Sequence, residues 1–260
     1  MKKEKKVCLV TGGAKRIGKS ICLHLAKNGW DVAIHYNTSS DAAKETADQI
    51  IALGRKAMVT KTSLPPSTDS EYRALLEKVK QELGDITLLV NNAAKFEYDN
   101  PSSITSKNLA SHFYCNSVAP MMLTHALYSH WINKNADSLS ATVINILDQK
   151  LWNTNPDFFS YTISKSALFE ATHIMATSMA PILRILSISP GITLKSEHQS
   201  QANFNQAHKK TPLGKACSAL DIAKAVHWLE ENKSITGINL TIDGGQHLNK
   251  ISRDVMFTIQ

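Results

Sequence analysis

A short apolar run, Val7-Cys-Leu-Val10, leads directly into Thr11-Gly-Gly-Ala-Lys-Arg-Ile-Gly18, and a helical pattern follows at once. A strand that turns so tightly into a helix constrains the fold more than any other feature of the chain. Glycines at the junction permit the tight turn and a close approach of backbone to a ligand. The free amides and positive end of the helix then favour an anion such as a diphosphate. A purely structural turn between strand and helix is the competing reading at this point.

The rest of the chain repeats the alternation. Val7 to Val10, Asp31 to His35, Ala57 to Thr60, Leu88 to Val90, Thr142 to Leu147, Leu183 to Ser189 and Gly237 to Ile242 read as strands bounded by turn residues. Amphipathic helical stretches lie between them: Gly18 to Asn28, Ser40 to Leu53, Asp69 to Leu83, Ser103 to Trp131, Tyr161 to Met179 and Ala219 to Glu230. Strands alternating with helices imply right-handed crossovers, hence an α/β fold with a doubly wound parallel sheet flanked by helices on both faces. With 260 residues and 43% apolar content the chain can bury a large core, and we expect one domain over 1–260. The polar stretch Lys195 to Lys210 is the expected lid, within about 192–212.

The net charge of +7 raises a nucleic-acid reading, but basic residues are dispersed apart from Met1-Lys-Lys-Glu-Lys-Lys6, a solvated tail. A polyanionic small ligand uses the same field, and no element resembles a DNA-reading helix-turn-helix. Cys8, Cys22, Cys115 and Cys217 are widely spaced and read as reduced core thiols. The basic start precedes too short an apolar run for a signal peptide, and no run approaches a membrane span, so the cytoplasm is the expected compartment. No group of His, Cys, Asp and Glu has metal-site spacing, and no metal is expected.

Chemistry concentrates in Ile144-Asn-Ile-Leu-Asp148 followed by Tyr161-Thr-Ile-Ser-Lys165. Tyr161 and Lys165 share one helix face just downstream of a carboxylate, an arrangement in which a phenol can donate a proton. The end of the second strand bears on the cofactor. A carboxylate there would accept an adenosine 2′-hydroxyl, but the chain has His35-Tyr-Asn-Thr-Ser39. Lys15, Arg16, Thr38 and Ser39 instead suit a 2′-phosphate, which favours NADPH over NADH.

Thr11-Gly12 with its glycine turn, Asn91-Asn-Ala-Ala94, Asn116, Tyr161-x-x-x-Lys165, Pro190-Gly191 and Asp243-Gly-Gly245 occur in the order seen in short-chain dehydrogenases/reductases, which the chain resembles over nearly its whole length. The resemblance implies a Rossmann fold of about seven strands, hydride transfer with a nicotinamide, and a homotetramer; the dispersed charge and the lack of an apolar span add the expectation of no nucleic-acid or membrane partner. It assigns the cofactor to Gly12, Lys15, Arg16, Ile17, Tyr36, Asn37, Thr38, Ser39, Ser63, Leu64, Asn92, Ala93, Ala94, Tyr161, Lys165, Pro190 and Gly191. Asp148, Tyr161, Lys165 and Asn116 are the implied catalytic set.

Two departures from the common pattern narrow this further. Arg16 stands where most members carry a glycine, and Asp148 where most carry a serine. Both resemble the pteridine reductase branch, as do Phe96, His35-Tyr36 and the ending Asp243-Gly-Gly-Gln-His-Leu248. That resemblance implies a substrate site of Arg16, Phe96, Asp148 and Tyr161, with Phe96 stacked on a pterin.

Asp148 also has a reading of its own. An ionised carboxylate only accepts hydrogen bonds and repels a developing phenolate, so it argues against a simple ketone. It suits a substrate that presents N–H donors and takes a proton on a ring nitrogen. In the expected reaction NADPH reduces the C=N bond of a dihydropterin or dihydrofolate. Tyr161, or a water it orders with Asp148, protonates nitrogen. Lys165 holds the ribose and lowers the tyrosine pKa, and Asn116 fixes the backbone and a proton-supplying water file.

Structural competitors stand beside each role. Asp148 can cap a turn, Phe96 can be a core or interface aromatic, and Asn116 can satisfy local backbone. Trp152, Phe158 and Phe159 line the pocket or meet a neighbouring subunit; His198 and His208 read as solvated. Two other functions stay open: a carbonyl reductase such as a 3-oxoacyl carrier-protein reductase, and a non-catalytic NADPH-binding regulator.

Overall fold

The computed structural model describes residues 5–65, 68–195 and 199–258. In chain order the elements are β1 (Val7–Val10), α1 (Arg16–Lys27), β2 (Asp31–Tyr36), α2 (Ser40–Ala52), β3 (Ala57–Lys61), α3 (Ser70–Leu83) and β4 (Leu88–Asn91). There follow α4 (Ser106–Phe113), α5 (Ala119–Asn133), β5 (Ala141–Ile146), α6 (Phe159–Ser178), β6 (Leu183–Pro190), α7 (Gln201–Lys209), α8 (Ala219–Glu231) and β7 (Asn239–Ile242). The seven strands form one sheet in the order β3-β2-β1-β4-β5-β6-β7, and every pairing is parallel.

Period-two alternation explains how each strand serves two cores. In β1, Cys8 and Val10 face a cluster with Ile21 and Leu25 of α1, Ile50 of α2 and Val226 of α8. Val7 and Leu9 face Leu75 and Val79 of α3 and Leu123 and Leu127 of α5. A strand buried on both faces needs apolar residues throughout, which is why the strands read as continuous apolar runs. The strand order reverses between β1 and β4. At such a switch point the connections leave toward opposite faces and open a crevice beyond the carboxyl ends of the strands.

Two elements differ from the sequence reading. The helix expected from Ser103 to Trp131 is broken: Tyr114–Val118 is a π-turn between α4 and α5. Pro120 has no N–H to return to the carbonyl of Asn116, and the ladder widens so that the N–H of Ala119 reaches the Tyr114 carbonyl. The second is α7, a helix inside the stretch taken as a polar lid. Ser200 starts it by accepting the N–H of Asn203. No described helix is long and apolar enough to cross a membrane.

Candidate active site

A cleft of about 700 Å³ lies at the switch point. One wall is the glycine turn. Gly12 has φ +62°, and a Cβ on Gly18 would stand 2.2 Å from the Gly12 carbonyl oxygen, so α1 can approach the turn only without a side chain there. Lys15 precedes α1 with no side-chain cap on the helix amides. Those amides, with Gly12, Lys15, Arg16 and Ile17 on the cleft wall, form a cradle that fits an anionic diphosphate.

Polar side chains fasten this turn to its neighbours. The Thr11 hydroxyl accepts the N–H groups of Asn92 (2.9 Å) and Ala93 (3.0 Å), and the Asn92 amide donates to the carbonyls of Thr11 (2.9 Å) and Gly12 (3.2 Å). His35, buried at the end of β2, accepts the Gly12 N–H on Nδ1 (3.2 Å), which leaves Nε2 to donate to the Thr62 carbonyl (2.9 Å). Both roles require neutral imidazole, and burial lowers the pKa of His35 accordingly. Its place in the motif was visible in the sequence; its role as the clasp between turn and β3 was not.

The opposite wall carries the acid–base groups. Tyr161, one turn into α6, donates its hydroxyl to Oδ2 of Asp148 at 2.9 Å, while Oδ1 of Asp148 accepts the Lys150 N–H at 2.8 Å. The carboxylate therefore caps the short helical turn Gln149–Leu151 and also faces the phenol. Burial raises the pKa of Asp148, against the pull of the Lys150 N–H and the Tyr161 hydroxyl. Burial and the Asp148 charge push Tyr161 well above its ordinary value. Lys165 is buried and donates to the Ile146 carbonyl at 2.7 Å, and burial brings its pKa down to about 8. The expectation that Lys165 lowers the tyrosine pKa is thus corrected. Its ammonium is tied to backbone 5.8 Å from the ring centroid, and burial first, then the Asp148 charge, hold the phenol above its ordinary value.

Asn116 lies behind this wall, inside the π-turn. Its Oδ1 accepts the Lys95 N–H (2.7 Å), and its Nδ2 donates to the Lys95 carbonyl and to Ser164, both at 2.9 Å. It thereby fixes the segment that delivers Phe96 to the cleft.

A sequence model of the family described as short chain dehydrogenase matches residues 6–207, well over half the chain. The chain belongs to that family. Curated relatives include a dihydromonapterin reductase of Escherichia coli O6:K15:H31 (strain 536), 25% identical over 92% of this chain and 96% of that one. An uncharacterized oxidoreductase of Thermotoga maritima is 26% identical over 95% of this chain and 98% of that protein. Among solved structures, FolM alternative dihydrofolate reductase 1 from Brucella canis, complexed with NADP, superposes with a TM-score of 0.88 at 37% identity, covering 96% of each chain. The Brucella suis protein, also in complex with NADP, gives 0.87 at 38% identity over 96% of this chain and 98% of that one.

Of the residues expected from sequence, Gly12, Lys15, Arg16, Ile17, Tyr36, Asn37, Thr38, Ser39, Leu64, Asn92, Ala93, Ala94, Phe96, Asp148, Tyr161, Lys165, Pro190 and Gly191 all line the cleft. Ser63 is exposed and does not, and Asn116 acts from behind. Arg16 reaches across to the carbonyls of Lys195 (2.9 Å) and Leu194 (3.4 Å) rather than toward Thr38 and Ser39. Phe96 stacks on the buried Phe158 at 4.2 Å and meets Tyr161 edge-on at 4.7 Å. Trp152 stands outside the cleft and donates to Thr241, and Phe159 does not line it either. His208 is partly buried against Phe204 rather than solvated, and His198 lies outside the described residues.

Gln199 of the expected lid lines the cleft, and sequence reading missed Cys115, Gln246, Asp254, Val255 and Met256, which line it too. Gln246 sat within a quoted motif. The last three arrive on a C-terminal strap, residues 249–258, which has no local signal of function. Arg253 forks onto Asp157 (2.8 and 2.9 Å), and Phe257 packs on Tyr98 and Phe158. The strap and α7 hold each other: Asn203 donates to the Met256 carbonyl and Lys210 to that of Thr258. No metal-binding cluster occurs among the described residues.

Proposed function

We propose that this chain is an NADPH-dependent reductase of a ring C=N bond in a dihydropterin or dihydrofolate. The observation that carries the reading is the Tyr161 hydroxyl donated to Asp148, a carboxylate where a hydroxyl would serve a carbonyl substrate. The names of the E. coli relative and the Brucella structures support the same substrate class. The glycine turn and the α1 amides hold the cofactor diphosphate. Thr38, Ser39 and Lys15 take the 2′-phosphate at a strand end that carries no acidic residue. NADPH, when bound, supplies the hydride to the ring carbon.

The protein's own residues do the rest. Phe96, backed by Phe158, offers a flat apolar surface for the fused ring. Asp148 accepts ring N–H groups, and the Asp148–Tyr161 unit holds the proton that the ring nitrogen takes. The two groups share one hydrogen bond, and burial raises the carboxyl above an ordinary aspartate, which favours its holding a proton. Lys165 anchors the ribose from its place on the Ile146 carbonyl. The four free cysteines fit a reducing compartment such as the cytoplasm.

A substrate panel tests the reading by following NADPH oxidation with dihydrobiopterin, dihydromonapterin, dihydrofolate and an acetoacetyl thioester. Turnover of the pterins or folate is expected; turnover of the thioester alone would overturn the proposal. Tyr161→Phe should lower kcat by about 10²-fold or more while NADPH binding is retained. Asp148→Ser should lower pterin turnover more than any carbonyl turnover.

A further inference from the structure

Lys150 is an unusual residue to bury. Only 4% of its side chain is exposed, and its Nζ lies 3.0 Å from Oδ2 of Asp254, a residue 104 positions downstream on the strap. The ammonium also sits over the ring of Phe158, 5.3 Å from its centroid, and Phe158 is the ring on which Phe96 stacks. A buried ion pair contributes little net stability compared with an apolar pair of the same shape. Its electrostatic effect on neighbours is another matter, because charges held inside protein are less screened than charges in water.

The neighbour is the acid–base unit. Lys150 gives its backbone N–H to Asp148, and Asp254 lines the same cleft. The charged and titratable groups around Asp148 and Tyr161 come from five elements: Lys150 after β5, Lys165 on α6, Asp254 from the strap, Cys115 from the π-turn, which acts on Lys165, and Arg16 on the cleft wall that carries the glycine turn. Lys150 favours the ionised form of Asp148 and Asp254 opposes it.

We propose that Lys150 and Asp254 are positioning residues for the reaction. As a closed pair they act on Asp148 in opposite directions, so that the docked C-terminal strap sets how tightly the Asp148–Tyr161 unit holds its proton. The inference rests on the proposed role of that unit in delivering the proton to substrate. If the strap is released, Lys150 loses its counter-charge and the unit is left beside a bare cation. Docking of the strap and readiness of the acid are therefore linked.

The test separates the two halves of the pair. In protein labelled with ¹³C at the aspartate carboxyls, the Asp148 resonance is assigned with Asp148→Asn and titrated with pH. Lys150→Met, which leaves Asp254 unneutralised, should move the Asp148 midpoint up by about half a pH unit or more, and Asp254→Asn should move it down by a similar amount. The double variant should return near the parent value. A residue pair that merely holds the fold would shift both variants in one direction or neither, and either result overturns the proposal. Thermal melting checks that each variant is folded, with Lys150→Gln replacing Lys150→Met if the latter fails to fold. The titration needs no substrate, so absence of pterin turnover defeats the proposed function without deciding the pair. Where pterin turnover is found, the acid limb of kcat/KM should move with the midpoint; a limb that stays fixed in both variants ends the inference.

Discussion

Arg16 has φ +56°, a left-handed conformation that glycine adopts freely and that costs other residues about 1 kcal/mol or more. This accounts for the glycine that most family members carry there. The side chain offsets the cost by tethering the segment after β6 through the carbonyls of Leu194 and Lys195. Arg16→Gly should therefore change unfolding free energy by less than about 1 kcal/mol, because relief of strain and loss of the tether oppose each other. The same variant should raise KM for the substrate several-fold, with a smaller change in kcat, as the cleft loses one wall. Denaturant unfolding and steady-state kinetics read the two effects separately. A large loss of stability would show that the guanidinium serves the fold rather than the cleft.

Among the elements, the strap has the least sequence character and the clearest attachment. Asp157 is buried just before α6. Burial pushes its carboxyl up, but the Arg253 fork and the Asp254 N–H at 2.7 Å outweigh that, so its pKa lies below the usual carboxylate range. A depressed folded pKa stabilises docking fully above the unfolded value of about 3.9, and the contribution is lost as pH falls through the folded value. Hydrogen exchange of residues 250–258 should thus be flat from neutral pH down to about pH 5 once corrected for intrinsic rates, and should rise only in stronger acid. Asp157→Asn should loosen the strap at neutral pH, with exchange faster by about tenfold or more. Unchanged protection in that variant would assign docking to Phe257 and its aromatic neighbours instead.

At the scale of the whole molecule, net charge +7 surrounds a cleft whose cofactor wall carries Lys15 and Arg16 and no acidic residue at the end of β2. Such a field draws polyanions and weakens as salt screens it. The Kd for NADPH should rise about tenfold between 50 and 500 mM salt, and that for NADH, which lacks the 2′-phosphate, should rise less. Fluorescence titration of both nucleotides checks this. Equal salt responses would mean that Lys15, Thr38 and Ser39 do not read the phosphate.

Patterning along the chain carried the fold. Seven apolar runs separated by helical periods specify a parallel doubly wound sheet, because strands joined by helices have few other ways to bury both faces. The glycine turn, Tyr161 with Lys165, and Asp148 were legible for the same reason: each sits at a strand end or on one helix face, where spacing alone fixes neighbours. Strand–helix alternation and local spacing can thus be read from the order of residues along the chain. Tertiary structure alone decided what depends on distant residues meeting: His35 clasping Gly12, Lys150 meeting Asp254 across 104 positions, and the strap lining the cleft. It also decided the protonation of the site. A pKa follows from burial and nearby charge, and packing, not spacing, put the Asp148 carboxylate rather than the Lys165 ammonium against the tyrosine hydroxyl.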